Sequence, residues 1–505
     1  MYDFFDALSY KIEKISNKYK DKPAYAALKL ALWCFVSVFV KRKKKISISI
    51  DKNRINLFFH LAGGIGDIVI AANYIKELYL KIGFPTSIYI SYDQKTENVK
   101  SIFYGYDFIR GFYCLREKNI NIDILASKCD ARIDIVRFPK VIFWNKKKIM
   151  SCSKFLTELL CKYKSFEDNN KKFFCFGSEL DTLRVIYSLI NGHTRRTQTD
   201  LCHILQMNEK TFPFMKIDET AFMIIKEYNI TKPFITIQRG VDVTFDGTTN
   251  TRLWPEKYYN ILIKMIKDEF PNLLVVQVGA LSAYSNFENV DVDLRGKTNF
   301  EQLKAVLKQS LLHIDGECGM VHIKHALNGI SAVFFGQTRI DFCGYPENIN
   351  VCANDACPAW CEWVTDDWMK KCCQGKSNSP CMEQIYPNLF FSKIKPYIKK
   401  ALLKKELWED VDTFDVEENI ISFSQCNNDG QKCFQNYISE NINSNTGVCF
   451  GDILNIPLDD ESINAVIWNE NNVSKEFHCY AFSECYRVLK PKGLLKMNNK
   501  ILRKI

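Results

Sequence analysis

The amino-acid sequence predicts an α/β protein in two halves, followed by a third, partial α/β unit. Two runs of alternating strand and helix signals predict the halves, one opening at Ile55 and one at Pro233. The third observation is the segment LLHIDGECGMVHIKHALNGISAVFFGQT, Leu311 to Thr338. It reads as a buried strand, a tight turn holding Glu317, Cys318 and Gly319, a helix carrying His322, and a second strand. A strand feeding a glycine turn that opens a helix aims backbone N–H groups and the positive helix end at one point, where a diphosphate binds. A nucleotide-linked substrate is therefore expected.

Along the chain, residues 1–50 read as a helical and basic leader. Leu30 to Val40 (LALWCFVSVFV) is apolar but spans only eleven residues, short of the ~20 that cross a bilayer. The lysine-rich run Lys41 to Lys45 follows it, so this stretch could lie on a membrane surface or pack on the next domain. The first half, residues 51–215, opens with the strand Ile55 to Leu61, a glycine loop, a helix from Ile68 to Gly83 and a strand from Ser87 to Tyr92. The pattern blurs between Asn98 and Pro213. The second half, residues 216–400, runs through a strand at Pro233 to Gly240, a helix from Pro255 to Phe270, a strand at Leu273 to Ala280 and a helix from Phe300 to Ser310. An acidic stretch, Trp408 to Asn419, marks a linker, and residues 420–505 form the third unit.

Composition narrows the class. The chain has 505 residues, 47% hydrophobic and 25% charged, an ordinary globular balance with length for about three domains. The net charge of +10 comes from lysines spread along the chain, so nucleic acid is not an expected partner. The polar start, MYDFFDALSYKIEKISNKYK, lacks the pattern of a secretory signal. A cytoplasmic location with reduced thiols is expected, with contact to the cytoplasmic membrane face through the leader.

Four features carry the chemistry. GGIGD, Gly63 to Asp67, joins strand to helix; Gly64 and Gly66 admit a close neighbour, and Asp67 is either a carboxylate at the cleft edge or a helix cap. Arg252 precedes Trp254-Pro255 at a helix start, where its planar fork can reach a phosphate. VDLRGKTNFEQL, Val292 to Leu303, turns at Gly296; Asp291 and Asp293 are read as structural and not as a metal site. The fourth is the Glu317-to-His322 turn.

In this order these features resemble glycosyltransferase family nine, the ADP-heptose:lipopolysaccharide heptosyltransferases. The matching residues are Gly66-Asp67, Arg252 before Trp254-Pro255, Asp293 to Gly296, and Glu317-Cys318-Gly319 with His322, over residues 55–340. The resemblance implies a GT-B architecture, two Rossmann-like domains across a cleft, and inverting transfer from an ADP-sugar to a glycan or protein hydroxyl with no metal required. It implies Asp67 as the base. It also implies a donor set of Gly64, Gly66, Arg239, Arg252, Trp254, Gly279, Gly296, Glu317, Cys318, Gly319 and His322. This chain has Arg252 where the family has lysine, and Glu317 and Cys318 where it has aspartate and serine or threonine. A competing class is a non-catalytic protein of the same fold that binds a partner.

Seven of the twenty cysteines fall between Cys343 and Cys381. Cys357, Cys361, Cys373 and Cys381, with Cys372 able to replace Cys373, could form a tetrahedral zinc or iron site. Structural thiols are the alternative, and a comparable iron-binding cysteine motif in some relatives is part of the resemblance. Residues 447–497 resemble the middle of a class I S-adenosylmethionine methyltransferase through Asp452, Pro457, Asp459, Asp460 and the run Glu484 to Gly493. No glycine-rich loop precedes them, and the chain ends eight residues after Met497. A non-catalytic remnant that binds no S-adenosylmethionine is expected.

Overall fold

The computed structural model describes residues 48–117, 120–135, 137–174, 178–207, 215–240, 251–281, 287–353, 372–373 and 379–406. It also describes short stretches within 24–29 and 408–504. The chain divides into two compact units, Met1–Ile394 and Lys395–Ile505.

The first unit contains both halves. In the first half, β1 (Ile55–Leu61) lies between β2 (Thr86–Tyr92) and β4 (Ala131–Ile135), parallel to both; β3 (Ile109–Cys114) and β5 (Pro139–Trp144) form the edges, giving the order β3-β2-β1-β4-β5. The unbroken apolar run of β1 follows from burial on both faces: Leu57 and Phe59 join the main core, and Phe58 packs in a second cluster with Tyr89 and Leu125. The helix α1 (Ile65–Ile82) covers one face with Ile68, Tyr74, Ile75 and Leu78 and ends at Gly83, which adopts a left-handed φ of 67°. It starts three residues before the expected Ile68, because the Asp67 carboxylate accepts the Gly64 N–H at 2.8 Å and closes the first turn.

The blurred region from Asn98 onward holds α2 (Thr96–Ile102), strands β3 to β5, α3 (Lys154–Asn169) and α4 (Ser178–Ile190). Its strand signal was masked by charge. Arg132 and Asp134 sit buried inside β4, where Arg132 Nε and Nη2 donate to Asp134 at 2.8 and 3.0 Å and Nη1 to Asp123 at 2.7 Å. Paired in this way, the charges tolerate burial that composition alone would not suggest.

The second half is a six-stranded, all-parallel sheet. Its order is β8-β7-β6-β9-β10-β11, formed by β6 (Phe234–Ile237), β7 (Leu274–Gln277), β8 (Val292–Asp293), β9 (His313–Gly316), β10 (Ser331–Phe335) and β11 (Ile349–Cys352). Numbered within the half this is 3-2-1-4-5-6, the doubly wound dinucleotide-binding order. Helices α5 (Glu256–Glu269), α6 (Phe300–Gln309) and α7 (Gly319–Ala326) connect the strands. Lys304 of α6 fastens the halves together: its ammonium is fully buried, donates to Ser101 O at 2.7 Å and Lys216 O at 2.8 Å, and pairs with Glu301 at 2.8 Å.

A long helix, α8 (Pro387–Glu406), leads into the second unit. There β12 (Trp408–Asp410), β13 (Ile420–Gln425), β14 (Phe434–Ile438), β15 (Ile463–Trp468), β16 (Leu489–Met497) and β17 (Lys500–Lys504) form a sheet in the order β12-β17-β16-β15-β13-β14, with β13, β15 and β16 parallel. One sequence expectation is corrected: the acidic linker opens as a strand, β12 (Trp408–Asp410). The last residues form β17 (Lys500–Lys504). β17 pairs antiparallel with β16 and β12 with β17, so the edge after Met497 is covered. Asp452, Pro457, Asp459, Asp460 and Glu484, which carried much of the methyltransferase likeness, lie outside the described residues, as do Leu30 to Val40 and Lys41 to Lys45, while Leu489 to Gly493 fall in β16. Among the described residues no helix is long and apolar enough to cross a membrane.

The halves meet where α1 and α7 begin. A Cβ on Gly66 would lie 3.3 Å from Gly319 Cα and 2.5 Å from His322 Cδ2. Gly66→Ala is therefore expected to lower unfolding stability by ~1–3 kcal/mol in urea titrations, since overpacking forces the ring or the helix to shift. Gly64→Ala, whose Cβ would meet nothing nearer than Asp67 Oδ2 at 3.9 Å, is the control and should cost at most ~1 kcal/mol.

Candidate active site

In open parallel sheets, ligands bind at the carboxyl ends of strands where the strand order reverses. The reversal falls between β1 and β4 in the first half, and between β6 and β9 in the second. The loops leaving these strands carry Gly63 to Asp67, Arg137, Arg239 to Gly240, and Glu317 to Gly319. The close approach of Gly66 and Gly319 brings the α1 and α7 starts together, so two positive helix ends share one cleft.

Asp67 sits in the first turn of α1. Gly63 must be glycine, because its φ is 109° and a Cβ would lie 2.2 Å from Asp67 Oδ2. The Asp67 side chain is 31% exposed and pairs with Arg195, with Arg137 Nη1 at 3.9 Å. Burial alone would push this carboxyl up. Arg195, Arg137, the Gly64 N–H and His322 outweigh it and hold it below the usual carboxylate range.

On the facing side, the Arg252 guanidinium binds both the carboxylate and the carbonyl oxygen of Glu317. The fork expected to reach a phosphate thus rests on the Glu317 carboxylate, at the turn that opens α7. Burial raises the Glu317 pKa, but Arg252, then His322 and Arg195, bring it down to about 2. His322 is buried; its Nδ1 lies 2.6 Å from the Tyr345 hydroxyl and its Nε2 3.9 Å from Glu317. Three guanidinium groups, two carboxylates, one imidazole and two helix starts therefore occupy one cleft, an arrangement able to accept a multiply charged anion.

Cys318, the residue before α7, donates its thiol to Asp315 at 2.8 Å. Burial and the Asp315 carboxylate push the thiol well above its ordinary range, so it serves as a neutral hydrogen-bond donor. Asp315 is fully buried and also accepts the Gly240 N–H at 2.9 Å and the Gly316 N–H at 2.8 Å, which ties together the loops leaving β6 and β9.

The remaining residues of the expected donor set make contacts of their own. Arg239 pairs with Glu256 at 2.8 Å. Gly279 and Gly296, both at positive φ, are joined by the Gly296 N–H to Gly279 O bond of 2.8 Å at the ends of β7 and β8. Trp254 departs from the expectation of a donor contact. It is buried, stacks on Phe334 at 4.2 Å and donates its indole N–H to Ile385 O at 2.8 Å, so it anchors the start of α5 in the core. Asp291 pairs with Lys267 at 2.6 Å and accepts the Val275 N–H, and Asp293 is bound by Arg295.

Cys357 and Cys361 lie outside the described residues. Cys381 packs near Gly336, and among the described residues no three His, Cys, Asp or Glu side chains are placed to hold a metal ion.

Sequence reasoning missed Arg137, Arg195 and Tyr345. The available signal was the run HTRRTQTD, residues 193–200, polar yet mostly buried and within the blurred stretch before Pro213. One pH effect follows from Glu317. Its folded pKa is depressed, so the Arg252–Glu317 pair contributes stability above about pH 4.3, the unfolded value. That contribution is lost as pH falls toward about 2. Urea titrations from pH 6 to 2.5 are expected to show an acid loss about 1–3 kcal/mol smaller in Glu317→Gln than in the unaltered chain.

No known family profile matches the chain, and no curated protein matches it. Among solved structures, E. coli ADP-heptose lipopolysaccharide heptosyltransferase II is similar at a TM-score of 0.44 and 13% identity, over 70% of this chain and 100% of that one. A glycosyltransferase of family 9 from Veillonella parvula is similar at 0.44 and 12%, over 70% and 99%. The iron-containing dodecameric glycosyltransferase TibC from enterotoxigenic E. coli is similar at 0.45 and 12%, over 71% and 78%. Likeness at this level carries no function across, and the functional reading rests on the residues of the cleft.

Proposed function

We propose that the chain is a glycosyltransferase that moves a heptose-type sugar from an ADP-linked donor to a hydroxyl of a surface glycan, such as a lipopolysaccharide core, or of a protein. The observation that supports this most is the meeting of the two strand-order reversals, which sets an ionised carboxylate, Asp67, beside a cluster of arginines and two helix starts. The order of the motifs from Gly66-Asp67 to His322 supports the choice of donor class.

In this reading the acceptor oxygen attacks the anomeric carbon, the bond from that carbon to the diphosphate oxygen breaks, and the configuration inverts. Asp67 takes the acceptor proton, a role that requires it to be ionised beforehand. Its lowered pKa keeps it so well into the acid range. The charge that develops on the departing ADP is received by Arg252 and by the N–H groups at the start of α7, fixed donors that need no rearrangement as the bond breaks. Arg252 replaces a lysine of the family pattern and offers two parallel donors where an ammonium offers a point charge.

Release of ADP from ADP-heptose, with a truncated lipopolysaccharide acceptor, tests the reading. Asp67→Asn is expected to lower kcat by ~10²–10⁴-fold while calorimetry shows unchanged ADP affinity. Arg252→Ala is expected to weaken ADP binding by ~1.5–3 kcal/mol, and Glu317→Gln in the same chain should recover part of the loss by removing an uncompensated carboxylate. Full turnover in Asp67→Asn would remove it as the base. A chain that binds neither ADP nor ADP-heptose would overturn the function. For the cysteine segment we propose about one zinc or iron per chain, checked by elemental analysis and lost in Cys357→Ser/Cys361→Ser.

A further inference from the structure

Residues 193–200, HTRRTQTD, are polar but largely buried, and they connect parts of the first unit that are distant in sequence. The segment follows α4 of the first half. Its backbone is held by the second half, with the Arg195 N–H donating to Phe342 O at 2.9 Å. Arg196 Nη1 donates to Gly344 O at 2.5 Å, and its guanidinium lies 4.6 Å from the Tyr345 ring centre. Asp200 is fully buried and accepts the N–H groups of Ile204, Leu205 and Met207 at 3.0, 2.9 and 3.1 Å, which closes the turn at the far end. The strap is thus pinned at both ends. Arg195 projects from it with a side chain 7% exposed, and its guanidinium rests on Asp67, at the start of α1.

We propose that Arg195 is a positioning residue for the transfer: anchored through its backbone to the second half, it orients the Asp67 carboxylate of the first half. The geometry of the base then depends on the seating of the strap at Phe342 to Tyr345. This rests on the reading of Asp67 as the base. Several features support it. A buried side chain can hold a carboxylate in one rotamer where a solvated one cannot, and the Arg195 N–H to Phe342 O bond that seats it crosses between halves joined elsewhere by Lys304. Arg195 also lowers the pKa of Glu317, so it faces both carboxylates of the cleft. The charged groups around Asp67 are Arg195, Arg137 and His322, with the Gly64 N–H on its own helix. Removing Arg195 leaves Arg137 and His322 to oppose the effect of burial, and the carboxyl must shift upward.

The experiment has two arms. In the first, the pH profile of kcat for ADP release from ADP-heptose with truncated lipopolysaccharide is measured for the unaltered chain, Arg195→Ala, Arg195→Lys and Asp67→Asn. Arg195→Ala is expected to lower the plateau kcat by ~10²-fold, the cost of an ångström-scale misplacement. Its acidic limb should move up by about one pH unit or more. Arg195→Lys should return the limb toward its original position while kcat recovers only in part, because an ammonium keeps the charge and loses the fork. An equal loss in both variants with no movement of the limb would reduce Arg195 to a folding role and overturn the proposal, as would an unchanged plateau. If Asp67→Asn keeps full turnover, the base assignment falls first and the proposal falls with it.

The second arm needs no substrate. Urea midpoints of Arg195→Ala, Asp67→Asn and the double variant form a cycle at pH 7. Non-additive shifts are expected, and additive ones would show that the two side chains do not hold each other, which overturns the proposal independently of any activity.

Discussion

The contact on which the site depends is the approach of Gly66 and Gly319, two helix starts brought to van der Waals distance. Each start carries a partial positive charge and unsatisfied N–H groups, so setting them against each other is unfavourable unless negative charge lies between. Asp67, in the first turn of α1, and Glu317, two residues before α7, supply it. Both are anions at neutral pH because the arginines around them outweigh the effect of burial. The glycines are required because any side chain would separate the helices, and the carboxylates are required because the helices are close.

The same balance bears on the phosphate-bearing ligand we propose. The cleft's cations are held by weakly basic carboxylates, and a diphosphate offers stronger, multidentate acceptors to the same guanidinium groups. The framework beneath is stiff. Asp315 joins the loops after β6 and β9, and Lys304 joins the halves on the side of α2, so the cleft groups stand on a cross-linked support.

Much of this was legible in the sequence. β1 matched residue for residue because a doubly buried central strand leaves an unbroken apolar run, and the second half read clearly because each of its helices carries one apolar stripe. The regions that did not read were those in which polarity is buried. Arg132 and Asp134 hid β4, and the buried strap at residues 193–200 lies in the same stretch, Asn98 to Pro213, whose pattern is blurred. Trp254 entered the expected donor set through the family resemblance, and packing on Phe334 turns it into the core.

By itself the sequence determined the α/β class, the two alternating halves, and the turns that carry Asp67, Arg252 and Glu317. These follow from local periodicity and from glycine and proline positions, which act within a few residues. Only the tertiary structure decided which charges meet. Asp67 and Arg195 are separated by 128 positions and Arg252 and Glu317 by 65. No local pattern records a partner at that distance, because the pairing is made by the strand order that folds the two reversals onto each other.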